Sequence, residues 1–111
     1  MFYLGCHPLE FFKESEVLGR ILRCTTTHAY AVNKRFINKL IDDSGFFKSY
    51  PCIDGYIGNL GRLPQNKVYM SLKNLVTQKG DFSDIEGHDV DYTHLFKDKY
   101  RYNIVEKPNG W

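Results

Sequence analysis

The sequence lacks the features that mark membrane, secreted and nucleic-acid-binding proteins. Its longest apolar run falls far short of the roughly 20 residues that a membrane-spanning helix needs. No basic residue precedes Lys13, which argues against a secretory signal. The 15 basic and 13 acidic residues are interspersed, give a formal net charge of +2 and include no basic run of five. We therefore expect a cytoplasmic protein that has no membrane span and binds no nucleic acid.

Cysteine is also scarce. Cys6, Cys24 and Cys52 are widely spaced and odd in number, so they match no zinc-binding pattern and are expected to be reduced thiols. Cys24 and His28 lie four positions apart, a pairing that leaves a cysteine hydrolase open as one alternative function. No third member of such a catalytic set is evident in the sequence.

Aromatic residues, in contrast, are abundant. The chain has 111 residues, of which 42% are hydrophobic and 15% aromatic, with eight Tyr and eight Phe. This composition predicts one globular domain, residues 1–111, with residues 93–111 forming an extended tail. Aromatic rings suit a hydrophobic core, and they also suit the faces of sugars.

The pattern of apolar residues predicts strands alternating with helices. Residues 1–4 are expected to form a buried strand that ends at Gly5, followed by a loop with a helical turn over residues 8–19. The β-branched and aromatic residues 24–32 favour a strand, and residues 67–72 favour another. The alternation indicates an α/β layer fold whose sheet is incomplete.

Two helices are expected between these strands. Asn33 is a good N-cap for a helix over residues 33–42, and Pro51 suits the opening of a short helix over residues 52–57. The polar, glycine-containing residues 77–91 predict a long loop. The apolar face of the first helix consists of Phe36, Ile37, Leu40 and Ile41.

Four segments, taken in order, resemble the C-terminal half of family 25-like glycosyltransferases, which include lipopolysaccharide glycosyltransferases and collagen galactosyltransferases. Residues 1–5 are similar to the end of a strand in that family, and residues 26–34 to its Thr-His-Ala-Tyr segment. Residues 50–54 are similar to a Pro-x-Asp segment. Gln78 together with residues 83–87 is similar to the family's last motif.

The resemblance implies a partial GT-A, Rossmann-like α/β fold, with a small mixed sheet and short flanking helices. Such an enzyme transfers a sugar from a nucleotide-sugar to a glycan or other hydroxyl acceptor, as in lipopolysaccharide biosynthesis, with a divalent metal such as Mn²⁺. The family's acidic metal motif precedes the segment that residues 1–5 resemble. We therefore expect the donor-binding half to be absent, and the chain to work with a companion chain or a second copy of itself.

Inverting sugar transfer requires a base that takes the proton of the acceptor hydroxyl, a group that neutralises the charge of the leaving diphosphate, and a site that holds the acceptor in line. Asp54 is the expected catalytic carboxylate, as base or as the group that orients the acceptor hydroxyl; the alternative is a helix cap. His28 is expected to complete a metal site or bind phosphate; the alternative is a core histidine bonded to backbone.

The remaining predicted site residues are polar or aromatic groups suited to a sugar acceptor. The polar ones also suit an ordinary turn, because Ser and Asp bond their own backbone. A non-catalytic module that binds a carbohydrate or a protein partner is a further alternative function. The expected substrate-binding residues are Gln78, Ser83, Asp84, Glu86 and Tyr30. The residues with metal-capable side chains but no motif spacing, expected at the surface, are His88, Asp89, Asp91 and His94.

Overall fold

The computed structural model describes residues 1–42, 53–73, 75–76, 81–83, 87–90 and 104–111. These residues form a small mixed α/β domain, as the sequence predicts, with few helices and a mixed sheet. In the described ranges, no helix is long and apolar enough to cross a membrane. The elements, in chain order, are β1 (Phe2–Lys13), β2 (Leu18–Ala31), α1 (Lys34–Asp42), α2 (Ile53–Leu60), β3 (Tyr69–Ser71), β4 (Asp81–Ser83) and β5 (His88–Val90).

A long antiparallel hairpin of β1 and β2 is the body of the domain. The Glu14 amide donates to the Leu18 carbonyl at 2.9 Å, and the Ser15 hydroxyl accepts from the Leu18 amide at 3.1 Å, which closes the turn. The predictions of a strand ending at Gly5 and of a loop over residues 8–19 were wrong. The strand runs on because Pro8 lies beside a shift in register, a place where a missing N–H is tolerated.

The third strand closes this sheet. β3 runs parallel to β1, with Phe2 opposite Tyr69, and antiparallel to β2, with Gly19 opposite Met70. The hairpin reaches β3 from both sides because four shifts in the β1–β2 register allow it to bend. At Tyr3, β1 is therefore paired along both edges, and the prediction of an incomplete sheet at this strand was wrong.

The core lies inside the closed sheet and under α2. Close packing of α2 on β2 depends on Gly61, where a Cβ atom would lie 2.6 Å from the Ile21 carbonyl oxygen. The largest fully buried side chains are Tyr3, Phe11, Ile21, Ile57, Met70, Val68, Pro8, Cys6 and Cys24.

The first helix forms where the sequence predicts it. The Asn33 side chain caps it by accepting from the Phe36 amide at 2.9 Å. Phe36 is buried and Leu40 packs on the core, but Ile37 and Ile41 are 40% and 63% exposed. Only half of the predicted apolar face is therefore packed, because residues four apart share one side of a helix and the adjacent pair turns away.

The other predicted elements differ in extent. α2 extends three residues beyond the predicted end at residue 57, and β3 lies within the predicted strand of residues 67–72. The prediction of one long loop over residues 77–91 was wrong, because β4 and β5 pair there with Asp81 opposite Val90. The tail returns to β1, where the Val105 amide donates to the Phe11 carbonyl at 2.8 Å.

Candidate functional site

Asp54 lies in the first turn of α2 and ties that helix to β2. Its Oδ2 atom accepts from the Thr26 amide at 3.0 Å, and its Oδ1 atom accepts from the Gly55 amide at 3.0 Å. The N-terminal end of a helix stabilises a negative charge, and an ionised carboxylate is the form of Asp54 that accepts both hydrogen bonds. Both carboxylate oxygens thus contribute to holding the backbone together.

Thr26 is the residue that this carboxylate holds. Its φ of 65° is uncommon for a β-branched residue, and such backbone strain persists only where neighbouring groups enforce it. Besides its bond to Asp54, Thr26 accepts a hydrogen bond at its hydroxyl from the His7 amide at 3.1 Å. We call this set, His7, Thr26, Asp54 and Gly55, the Asp54 junction.

A bulge in β2 surrounds the junction. Gly5 lies opposite Ala29 and His7 lies opposite Thr25, so residues 26–28 of β2 face Cys6 alone on β1. The extra residues explain the positive φ of Thr26, because a bulge bends the strand locally and changes its backbone dihedral angles. His28 belongs to this bulge by its backbone, while its side chain lies outside the described residues and its predicted role stays a prediction.

Buried thiol and phenol groups lie near the junction. Burial, with the Asp54 carboxylate as a further contributor, raises the pKa of Cys24 to about 11 against the smaller opposing effect of the Tyr3 hydroxyl. Burial and then Cys24 raise the pKa of Cys6, and burial is also the main cause of the raised pKa of Tyr3. Near neutral pH all three groups are uncharged. A nucleophilic cysteine needs an accessible thiolate, so this environment weighs against a cysteine hydrolase built on Cys24.

Tyr30 is the one predicted aromatic contact that the structure places at the surface. It lies opposite Tyr3 in the β1–β2 ladder, with ring centroids 6.1 Å apart at 58°. Its side chain is 44% exposed, so part of the ring is open to a ligand. The structure therefore positions Tyr30 four residues beyond Thr26 on the same strand.

The rest of the predicted site is only partly described. Ser83 pairs with His88 between β4 and β5, but its side chain lies outside the described residues, as do Gln78, Asp84 and Glu86. His88 and Asp89 are exposed, as the sequence predicts. In the part of the chain that the structure describes, no three His, Cys, Asp or Glu residues come together as metal ligands.

A concave region away from the Asp54 junction was not predicted. Two adjoining cavities of about 430 and 500 Å³ share Met1, Asn33 and Lys67 in their walls, and we call their union the Lys67 groove. Arg35 and Lys39 also line it, and none of the residues that line either cavity is acidic. The spacing of Arg35 and Lys39 places them on one side of α1, but the sequence does not reveal that Lys67 lies beside them. The remaining wall residues are Phe2, Ala31, Val32, Phe36, Gln65, Asn66 and Tyr69.

Comparisons of the chain with protein families, with curated proteins and with solved structures found no match.

Proposed function

We propose that this chain is the acceptor-side segment of a family 25-like glycosyltransferase of the GT-A type. In this proposal it holds a glycan or other hydroxyl-bearing acceptor, and sugar transfer from a nucleotide-sugar also needs a donor-binding half that these 111 residues do not supply. A divalent metal such as Mn²⁺ belongs to the complete enzyme. The proposal rests on the resemblance and on one structural observation, the convergence of three of its four segments.

That convergence occurs around the Asp54 junction. In the first two segments, residues 2–5 pair with residues 29–31, with Tyr3 opposite Tyr30. Asp54, at the end of the third segment, accepts a hydrogen bond from the Thr26 amide. Segments that are separated in sequence thus become neighbours through specific backbone contacts. A site that binds an extended acceptor needs such a meeting point, because its groups must be held in fixed relative positions.

The residues have distinct roles in this proposal. Asp54 fixes the backbone of Thr26 and so positions Tyr30. A carboxylate has about four lone-pair sites, so two backbone hydrogen bonds do not by themselves prevent Asp54 from also contacting an acceptor hydroxyl. Tyr30 offers its exposed ring to a sugar face. His28 contributes a metal or phosphate contact. The polar residues proposed to contact the acceptor are Gln78, Ser83, Asp84 and Glu86.

A second candidate function is favoured by the bonding of Asp54. Both of its oxygens already accept backbone hydrogen bonds, which is the arrangement of a structural group more than of a free base. A non-catalytic module that binds carbohydrate through Tyr30 would need Asp54 only in this structural role. The two candidates share the binding surface and differ in whether sugar transfer occurs there.

Saturation-transfer NMR with hexose-containing oligosaccharides tests the shared binding surface. We expect magnetisation transfer from the purified chain to sugar protons, and its loss in Tyr30→Ala. Ile41→Ala is the matched control because Ile41 is an exposed apolar residue on α1, outside the proposed surface. No transfer at millimolar oligosaccharide, or equal transfer in both variants, would refute a carbohydrate site at Tyr30.

A nucleotide release assay separates enzyme from module. The isolated chain with nucleotide-sugars and Mn²⁺ is expected to release no nucleoside diphosphate. If the chain is part of an enzyme, material co-purified with its cellular partners should show Mn²⁺-dependent release. Release by the isolated chain would refute the need for a donor half, and no release in either preparation would favour the binding module.

A further inference from the structure

The Lys67 groove is an open concave surface whose volume matches that of a small-molecule site. Its two parts, about 430 and 500 Å³, fall within the range of typical ligand pockets. Phe36 lines one part and Tyr69 the other, so each offers an aromatic side chain. Asn33 and Asn66 also lie in the wall, but their side chains are hydrogen-bonded to the backbone. Asn33 accepts from the Phe36 amide, and Asn66 donates to the Leu60 carbonyl. The groove can therefore accommodate an organic group beside its charged side chains.

The charge of the groove has one sign. Arg35 and Lys39 from α1 and Lys67 from the segment before β3 line it without an acidic residue. Within the described residues, neither Arg35 nor Lys67 forms an ion pair; the ion pairs found there join Arg23 and Arg62 to Glu10. Arg35 and Lys67 converge on the same concave surface, and cations arranged in this way create a positive potential that attracts anions.

A buried guanidinium behind the wall adds to this potential. Arg20 is 5% exposed and donates from Nη2 to the Asn66 carbonyl at 3.2 Å and to the Pro64 carbonyl at 2.9 Å. It also lies 5.4 Å from the centre of the Tyr69 ring. Asn66 and Tyr69 are both wall residues, so the guanidinium contacts the wall of the groove.

Arg20 is moreover a buried charge that lacks part of its usual partners. In the described structure its Nε atom has no hydrogen-bond partner, and no carboxylate pairs with the guanidinium. A buried cation without an anion is costly, and its field is screened less than that of a surface charge. The Tyr69 and Trp111 rings flank the guanidinium at 5.4 and 5.0 Å and offset part of that cost, and an anion in the groove would offset more of it.

We propose that the Lys67 groove binds a small, soluble molecule that carries phosphate groups. A phosphate group carries close to two negative charges near neutral pH and several strong acceptor oxygens, which match a set of converging cations. Arg35 can bind two phosphate oxygens at once, while Lys67 supplies a point charge. The aromatic residues in the walls suit an organic body attached to the phosphate. This inference does not rest on the glycosyltransferase proposal, although Met1, Phe2 and residues 31–33 in the wall of the groove belong to two of the segments that carry the resemblance.

An NMR titration of the ¹⁵N-labelled chain with inorganic pyrophosphate at physiological salt tests the proposal. Saturable shifts are expected at the amides of Arg35, Lys39 and Lys67. The double variant Arg35→Gln/Lys67→Gln should bind pyrophosphate about tenfold more weakly, equivalent to about 1.4 kcal/mol. Because both side chains are exposed, circular dichroism should show an unchanged fold.

The matched control is the double variant Lys13→Gln/Lys73→Gln, which removes the same charge from exposed positions outside the groove. It should retain affinity within about twofold, well below the tenfold change that marks a site contact. If both double variants bound pyrophosphate equally weakly, the loss of affinity would come from net charge alone and the proposed site would be refuted. Chemical shifts that never saturate would also refute it. Sedimentation with phosphatidylglycerol vesicles, without any response to pyrophosphate, would identify a membrane surface as the partner and also overturn the proposal.

Discussion

The Asp54 junction and the Lys67 groove use their polar groups in opposite ways. At the junction, the Asp54 carboxylate and the Thr26 hydroxyl accept hydrogen bonds from backbone amides, and the nearby thiols are buried and uncharged. In the groove, Arg35 and Lys67 face a cavity and, within the described residues, have no acidic partner. The first arrangement holds two segments of the fold together, and the second is available to a ligand.

This difference shows that a suggestive residue type is weak evidence of function until its partners are known. Asp54 was the most attractive catalytic candidate in the sequence, yet the structure gives it backbone partners. Arg35 and Lys67, in contrast, lie 32 positions apart in the sequence and belong to no motif there. Their shared cavity is what makes them informative, because a site depends on convergence in space.

The largest effect is expected where α2 approaches β2 near the junction. Gly61→Ala would place a methyl group 2.6 Å from the Ile21 carbonyl oxygen, a backbone atom that cannot rotate away. We expect the free energy of unfolding in urea to fall by about 2–3 kcal/mol. Gly19→Ala is the control, because its nearest neighbour is the flexible end of Met70, and it should lose less. An equal loss of unfolding free energy in the two variants would show that α2 does not pack more tightly at Gly61 than Met70 packs at Gly19.

The thiols near the junction predict a loss of stability at high pH. Burial raises the pKa of the folded Cys24 thiol from 9.0 to about 11, so between these pH values the folded state retains a proton that the unfolded state releases. The free energy of unfolding should therefore fall as pH rises from about 9 to about 11, by at most 2–3 kcal/mol from this group. Urea unfolding across that range should show a smaller decline in Cys24→Ala. Identical slopes of unfolding free energy against pH in the wild type and in Cys24→Ala would mean that another group titrates in this range.

Removal of the Asp54 carboxylate tests its structural role. Asp54→Ala leaves the part-buried Thr26 amide without its acceptor and should lower the free energy of unfolding by about 1–3 kcal/mol. Asp54→Asn keeps one acceptor oxygen and should lose less. Asp89→Ala, at an exposed position on β5, should remain within about 0.5 kcal/mol of the wild type. Unchanged stability in Asp54→Ala would mean that the carboxylate is free for another role.

The smallest effect concerns the two sides of α1, whose polar side lines the groove. Leu40→Ala removes a partly buried side chain that packs on the core, so we expect a loss of about 1–2 kcal/mol, below the range for full burial. Ile41→Ala should change the free energy of unfolding by less than about 0.5 kcal/mol, because Ile41 is 63% exposed. Thermal and urea unfolding of the pair would measure this contrast. Equal losses would mean that α1 is packed differently from the structure.

Local features of the fold could be predicted from the sequence, and non-local ones could not. The α1 helix and its Asn33 cap were predictable because capping and periodicity involve residues a few positions apart. The full length of β1 was missed because Pro8 and Gly5 usually end regular structure, and only pairing with β2 and β3 shows how they are tolerated. The β4–β5 hairpin was missed because its strands are three residues long and polar.

The same division applies to the candidate sites. Asp54 could be selected from the resemblance and from its place at a helix start, but its bond to Thr26 spans 28 residues and depends on the bulge in β2. The Lys67 groove joins residues from α1 and from the segment before β3, which no local pattern connects. The side chains of both candidate sites are thus brought together by contacts between distant segments, which the local sequence does not reveal.

Amide hydrogen exchange measured by NMR tests the contrast between the two regions most directly. The Thr26 amide, bonded to Asp54, should exchange as slowly as the core strands and exchange faster in Asp54→Asn. The Arg35 amide lies in the first turn of α1, where no intrahelical acceptor exists, and should exchange rapidly until pyrophosphate protects it. Rapid exchange at Thr26, equal to that at Arg35, would contradict the account.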